Sequence, residues 1–222
     1  MSAPFDVEEQ VRALRERSTR LSRFAQRLER LLWDLLEDNP LLGRTLQVVT
    51  SRVKTEDSFR EKCTRDGKNY TNPIDQKTDL VGVRIVLYSQ ASKEIVYKLL
   101  HDNFAVDEDN SIDYEKTGHE RGYRGWNVIA ALSDDRKQLA EWRRYVDIVF
   151  EVQIVTVAHH AWSQVQHGAI YKNREEPLPQ ELRSELTMAN ELVKQADDIF
   201  ERVFNAIDER VAADEAVHSE DG

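Results

Sequence analysis

A single cysteine, Cys63, stands in 222 residues, which excludes a disulfide framework and a zinc site built on thiolates. The six histidines form no HExxH pattern, and the adjacent His159 and His160 would point to different sides of a helix, so no histidine metal site is expected. Glycine is sparse and scattered. Gly43, Gly67, Gly82 and Gly118 stand alone, there is no GxxxxGK(S/T) loop, and kinase motifs are missing. Any phosphate cradle in this chain therefore has to be made of side chains. Long apolar runs are missing too, which excludes a membrane span, and the first ten residues lack the basic-then-apolar order of a signal peptide. The expectation is a soluble, cytoplasmic protein. A net charge of −10 and a pI of about 5.2 argue against a general nucleic-acid coat or a binder of anionic membranes, and leave room for local basic patches. Internal repeats and low-complexity segments are also lacking.

What is present starts with a helix. Val7, Val11, Leu14, Leu21, Phe24, Leu28, Leu31 and Leu35 recur at spacings of three, four and seven, one face of a long helix ended by Asp38-Asn39-Pro40. Packing against the rest of the domain is expected of it. Leu46 to Lys54 alternates as a strand, with Thr50, Arg52 and Lys54 on one face. A short helix follows at Asp57–Lys62, then loops at 66–69 and at Asn72-Pro73. Residues 79–88 are nearly continuously apolar and β-branched, a strand buried on both faces. Asp79 lies at its mouth and Arg84 in its middle, and a guanidinium there needs an anion, either a neighbouring carboxylate or a bound phosphate.

Ser92 to Asn103 reads as a helix with Ile95, Val96, Leu99 and Leu100 inward and Ser92 as its cap. The strand and helix order suggests an α/β or α+β layered architecture. Phe104 to Gly122 is polar and reads as a long irregular segment of the kind that carries function. A strand is expected over Gly122–Leu132 and a partly helical connection over Ser133–Tyr145. Val146 to Ile154 then alternates, with Val146, Ile148, Phe150, Val152 and Ile154 on one face and Asp147, Glu151 and Gln153 on the other. A helical run to Lys172 carries His159, His160, Trp162 and His167. A loop to Pro179 precedes a last helix with Leu182, Leu186, Ala189, Val193, Ala196, Phe200, Val203 and Ile207 at four-three spacing. This helix and the first either pack together or form an oligomer seam, and residues beyond Ala212 are expected to fray.

Four strands thus bring polar groups to similar places: Arg52 and Lys54; Asp79 and Arg84; Tyr123 and Asn127; Glu151 and Gln153. Two carboxylates among several cations, with an aromatic ring, suit phosphoryl chemistry on a nucleotide. Carboxylates can hold Mg²⁺ or take the proton of an attacking hydroxyl. Arginine can grip two phosphate oxygens at once.

The ordered set RVK (52–54), DLVGVRI (79–85), Asp113-Tyr114, GYR (122–124) and EVQI (151–154), then Thr156, Trp162, His167 and Tyr171-Lys172, resembles the synthetase domain of the RelA/SpoT-like alarmone synthetases. The small single-domain members are the nearest in form, and the resemblance spans roughly Val48 to Lys172. It implies an α+β fold, a mixed sheet of about five strands flanked by helices. A helix is expected over 1–40, the catalytic domain over 41–175, a second long helix over 176–212 and an acidic tail over 213–222. It also implies transfer of the pyrophosphoryl group of ATP to the 3′-hydroxyl of GDP or GTP, giving ppGpp or pppGpp and AMP, with Mg²⁺ as cofactor. By the same resemblance Arg52, Lys54 and Lys62 contact the ATP phosphates, Asp79 binds the metal and Arg84 clamps phosphate. Tyr123 stacks on the acceptor base, Glu151 binds metal or acts as base, and Gln153 and His167 line the acceptor side near Asn127.

Departures from the family pattern gather on the acceptor side. The usual YRSxH is here Tyr123-Arg124-Gly125-Trp126-Asn127, so a serine gives way to Gly125, which opens volume, and Trp126 adds a ring. His119 and Arg121 replace a basic residue and an asparagine. Val155 stands where arginine is usual, and Gln166-His167 where a Glu-His pair is usual. Three readings stay open: a guanine-nucleotide synthetase; the same chemistry on an adenine nucleotide or the 3′-CCA end of tRNA; and a non-catalytic nucleotide- or protein-binding regulator. A tRNA acceptor would call on Arg121, Arg124, Arg136, Lys137, Arg143 and Arg144 as a basic patch. Assembly of the protein into a homo-oligomer through its terminal helices is also expected.

Overall fold

The computed structural model describes residues 5–64, 70–117, 123–172 and 179–220. It opens on α1 (Val7–Glu37), whose N-cap Asp6 accepts from the Glu8 and Glu9 amides. The face of α1 carrying Val11, Leu14, Leu21, Phe24 and Leu28 is buried. In the last two turns the buried residues are Leu32 and Leu36, with Leu31 and Leu35 only partly covered. A 3.6-residue period drifts off a strict seven-residue rhythm, so the buried stripe moves one position by the end of so long a helix.

Five strands follow: β1 (Leu46–Val53), β2 (Val81–Leu87), β3 (Phe104–Asp113), β4 (Trp126–Leu132) and β5 (Val149–Thr156). They form one mixed sheet in the order β1-β2-β5-β4-β3. Only the β2–β5 pair is parallel. The expected mixed sheet of about five strands with flanking helices is present.

Register divides this sheet into two unlike faces. Val49 and Val53, Val81, Val83 and Ile85, Phe150, Val152 and Ile154, and Trp126, Val128 and Ala130 share one side and belong to the core. α1 covers it over β1 and β2, and α4 (Ser92–Asn103) over β3, β4 and β5. Phe24 of α1 meets Trp142, Tyr145 and Phe150 with ring centroids 5.4–6.0 Å apart. The opposite side carries Thr50, Arg52, Gly82, Arg84, Asn127, Glu151 and Gln153. This division positions the site.

Shorter elements differ from expectation. The helix expected over 57–62 is α2 (Glu56–Thr64), anchored by buried Phe59 and Cys63. The Asn72-Pro73 loop turns directly into α3 (Pro73–Gln76), because proline suits a first helical position. Ser92 does not cap α4: its hydroxyl is buried against that of Thr45 at 2.7 Å, and Ala91 holds the cap position without a side-chain bond. The segment read as irregular from Phe104 is strand β3, followed by α5 (Tyr114–Thr117). Its polarity is that of an edge strand, whose outer side water satisfies, and its register shifts between Asp107 and Ile112. After β4 the chain makes α6 (Asp134–Gln138) and a 3₁₀ turn at Arg143–Tyr145 that delays β5 to Val149.

The last two helices are α7 (Val157–Lys172) and α8 (Gln180–Glu220), so α8 runs past Ala212. α8 pairs with α7 rather than with α1. Its inward stripe is Leu186, Asn190, Val193, Asp197, Glu201 and Phe204, while Leu182, Phe200, Val203 and Ile207 are exposed. The apolar stripe is therefore half turned to solvent, since Asp197 and Glu201 of α8 have hydrogen-bond partners inside and Asn190 is buried beside them in the stripe. Among the described residues no helix is long and apolar enough to cross a membrane.

Candidate active site

On the polar face, register sets Thr50, Arg84, Gln153 and Asn127 side by side in one row, and Arg52, Gly82, Glu151 and Ile129 in the next. Alternation along each strand, with four strands in register, thus collects residues more than a hundred positions apart in sequence. α7 covers the end of this face beyond Arg84, where Val86 and Val155 are buried. The Arg52 side chain lies across Gly82: a Cβ there would meet its Cγ and Nε at 3.8 Å.

Arg84 is half-buried and has no carboxylate partner among the described residues. Its Nε and Nη2 donate to Gln153 Oε1 at 3.2 and 2.8 Å, and Nη1 lies 3.2 Å from His160 Nδ1. Burial lowers its pKa, and neighbouring Arg52 pushes the same way against the pull of Tyr123 and Glu151. A guanidinium held by neutral acceptors keeps most of its charge for an anion. Of the two anions the sequence leaves open, the described residues supply no carboxylate.

Asp79 sits just ahead of β2, and its Oδ2 takes both Lys54 Nζ and Lys62 Nζ. α2 is the element that folds Lys62 back to this point. Burial by itself would raise the Asp79 pKa, but the two ammonium groups prevail and bring it down to about 2. Lys54, the more deeply buried lysine, is pushed down to about 8 by desolvation in spite of Asp79. Lys62 also loses hydration, but Asp79 outweighs that loss and its pKa rises, with Glu151 adding to the field. Glu151 Oε1 accepts from Gln153 Nε2 and, at 3.4 Å, from Asn127 Nδ2.

Asp79 and Glu151 offer hard oxygen donors beside the cations Lys54, Lys62, Arg52 and Arg84. Among the described residues no group of three or more histidine, cysteine or acidic side chains could by itself enclose a metal ion. That donor set fits Mg²⁺, which is held by one or two carboxylates together with waters and substrate phosphates.

The segment expected to face the acceptor differs from expectation at two positions. Trp126 lies on the core face, stacked on Tyr97 at 4.2 Å and 15°, because strand alternation turns it away from Asn127. The volume opened at Gly125 is filled: a Cβ there would lie 2.0 Å from the Tyr123 hydroxyl. Tyr123 donates to Asn127 Oδ1 at 3.1 Å and meets Tyr114 and His159 edge-on at 5.3 and 5.2 Å. Burial raises its phenol pKa.

Nine of the ten residues expected at the site gather here: Arg52, Lys54, Lys62, Asp79, Arg84, Tyr123, Asn127, Glu151 and Gln153. His167 does not join them; it is exposed on α7. In its stead His160 reaches Arg84, and His159 accepts from the Arg124 amide at 3.0 Å. Nothing in the sequence marks these two above His167, since only the entry angle of α7 decides which turn meets the sheet. His119 and Arg121 lie outside the described residues. The other basic candidates divide between the two ends of β4, Arg124 ahead of it and Arg136, Lys137, Arg143 and Arg144 beyond it. They form no single patch.

Residues 51–176 match the family model described as the region found in RelA / SpoT proteins. The GTP pyrophosphokinase YjbM of Bacillus subtilis strain 168 is 26% identical over 170 residues, which are 76% of either chain. Among solved structures, small alarmone synthetase 1 from Bacillus subtilis bound to its product pppGpp aligns with a TM-score of 0.70 and 22% identity, over 84% of this chain and 94% of that one. The same synthetase bound to AMPCPP aligns with a TM-score of 0.62 and 22% identity, over 91% and 99%. At these identities the solved structures speak for the fold.

Proposed function

This chain belongs to the RelA/SpoT family, and from that premise we propose that it is a nucleotide 3′-pyrophosphokinase using ATP as donor and GDP or GTP as acceptor. The observation that carries this reading is Arg84, a half-buried cation whose partners among the described residues are neutral, one row from Arg52 and Glu151 on an open sheet face. The relatives' guanine-nucleotide product and ATP-analogue complexes support the choice of substrates.

Arg52, Arg84, Lys54 and Lys62 bind the donor triphosphate. When phosphate arrives, the two lysines have a second anion to share with Asp79. Glu151 accepts the proton of the acceptor 3′-hydroxyl as its oxygen bonds to the β-phosphorus. The bond from that phosphorus to the oxygen bridging to the α-phosphate breaks, and AMP leaves with the bridging oxygen. Gln153 and Asn127 orient the Glu151 carboxylate, and Tyr123 forms the wall for the acceptor base. Asp79 and Glu151 would hold Mg²⁺, which when bound neutralises phosphate charge.

The test is incubation with ATP labelled in its β and γ phosphates and, separately, GDP, GTP, ADP, ATP or bulk tRNA. Label should move to GDP and GTP. Transfer to an adenine nucleotide or to tRNA would replace the acceptor, and intact ATP in every tube would overturn the enzyme.

The substrates also fit a cytoplasmic setting. A homo-oligomer is proposed through α8, supported by the exposed Leu182, Phe200, Val203 and Ile207. Light scattering should report a multimer and a smaller species for Phe200→Glu; an unchanged mass would remove α8 from the seam.

A further inference from the structure

α8 reaches the acceptor side of the site through two separate connections, and the donor side through none among the described residues. The first runs through the core. Asp197 of α8, 5% exposed, accepts from the Thr156 hydroxyl at 2.8 Å. The same Thr156 oxygen accepts from the His159 amide at 3.2 Å. The His159 ring, 2% exposed, meets Tyr123 edge-on and takes the Arg124 amide on Nε2. Because Nε2 accepts, the neutral ring carries its proton on Nδ1, which has no hydrogen-bond partner among the described residues. The imidazole is therefore held by its backbone, its one accepted bond and its ring contacts. The second connection lies at the surface, where Arg124 and Glu191 of α8 pair at 3.5 Å. Both end on Arg124, and the first also reaches Tyr123.

The rest of the α8 contact agrees with this direction. Glu201 takes Ser89 Oγ and the Gln90 and Ala91 amides, which fixes α8 to the turn after β2. Trp162 packs beside His159 and donates to the Leu186 carbonyl of α8 at 3.4 Å. By contrast, the bonds made by Lys54, Lys62 and Asp79 stay among α2, β1 and the mouth of β2. A helix that only covered the sheet would use apolar residues at Asn190 and Asp197, both buried.

We propose that Asp197 and Glu191 are positioning residues for the acceptor nucleotide: α8 sets the Tyr123-Arg124 segment through Thr156 and His159 and through Arg124. The consequence is a coupling between how α8 is docked and how tightly the acceptor binds, with donor binding left alone. This inference rests on the reading of the polar face as a pyrophosphokinase site with Tyr123 on its acceptor side.

The test uses the full chain with Asp197→Ala, Asp197→Asn and Glu191→Ala. Asparagine can still accept from Thr156, so it serves as the conservative rescue. Asp197→Ala should raise the acceptor KM roughly fivefold or more. The donor KM should stay within about twofold and Asp197→Asn should return the acceptor KM toward the parent value. Glu191→Ala, at the surface and remote from the core, should shift the acceptor KM in the same direction by less. Calorimetric binding of GDP and of AMPCPP, measured without turnover, should divide in the same way. Donor and acceptor affinities that fall together, or an alanine variant that matches the parent, would overturn the coupling. If Asp197→Ala fails to fold, Glu191→Ala alone decides. A parent protein that binds neither nucleotide overturns the underlying reading and the coupling with it.

Discussion

Arg84 within β2 and Asp79 just ahead of it have opposite fates. The carboxylate is satisfied twice over, by Lys54 and Lys62, whereas the guanidinium has only an amide oxygen and an imidazole nitrogen. The first arrangement stores cations beside an anion that they can share with phosphate, and the second leaves a charge open to it. Glu151 lies between, oriented by two amides that can donate to it in either protonation state. Glu151→Gln keeps those acceptor contacts and removes the proposed base, so kcat should fall by about 10²–10⁴ while AMPCPP affinity is retained. Rate assays with binding calorimetry check this, and unchanged kcat would remove Glu151 from proton transfer. At Gly125 the deciding quantity is space. Gly125→Ala puts a methyl group 2.0 Å from the Tyr123 hydroxyl. The ring must swing away, so the acceptor KM should rise with the donor KM unchanged, a split that steady-state kinetics reads directly.

At the scale of elements, α1 and α8 are the two long helices, with like rhythms but unlike tasks. α1 is a core helix. Phe24, fully buried against Trp142, Tyr145 and Phe150, ties it to β5 and to the turn before it. Phe24→Ala should cost about 3–5 kcal/mol of stability through the cavity that is left. Urea unfolding checks this, and a loss under about 1 kcal/mol would mean that α1 is not part of the cooperative core. α8 instead meets the domain through hydrogen bonds of Asp197 and Glu201, which makes its attachment directional and leaves an apolar stripe outside. Hydrogen-bonding side chains fix the rotation of a helix about its own axis more narrowly than apolar contact does. That is why four-three spacing located α8 without choosing which of its faces is buried.

Over the whole molecule, acid should act on stability through His159. Burial, with Lys93, Arg124 and His160 nearby, lowers its pKa from 6.5 to about 3. Between those values the unfolded chain binds a proton that the folded chain refuses, so stability is lost as pH falls below about 6.5. One such group gives a slope of up to about 1.4 kcal/mol per pH unit. Asp79 adds to the loss only further down, below its ordinary 3.8. Urea melts from pH 7 to 4 should therefore show a declining midpoint that flattens in His159→Gln. A parent curve without that decline would mean that His159 is solvated.

The sequence by itself determined the elements that bury a stripe or alternate: α1, β1, β2, α4, β5 and α8 by existence, and the polar set Arg52, Arg84, Glu151 and Gln153 by strand parity. Parity says which residues share a face. It does not say what lies opposite, because neighbours across a sheet come from pairing between distant segments. Only the tertiary structure decided that Arg84 faces Gln153 and His160 rather than a carboxylate, that Trp126 turns into the core, and that Tyr123 fills the space over Gly125. It likewise turned a polar stretch into edge strand β3 and put His160, not His167, against the sheet. Each of these depends on the angle and register at which one element meets another. Packing of the whole chain sets those, and a local period of two or 3.6 cannot encode them.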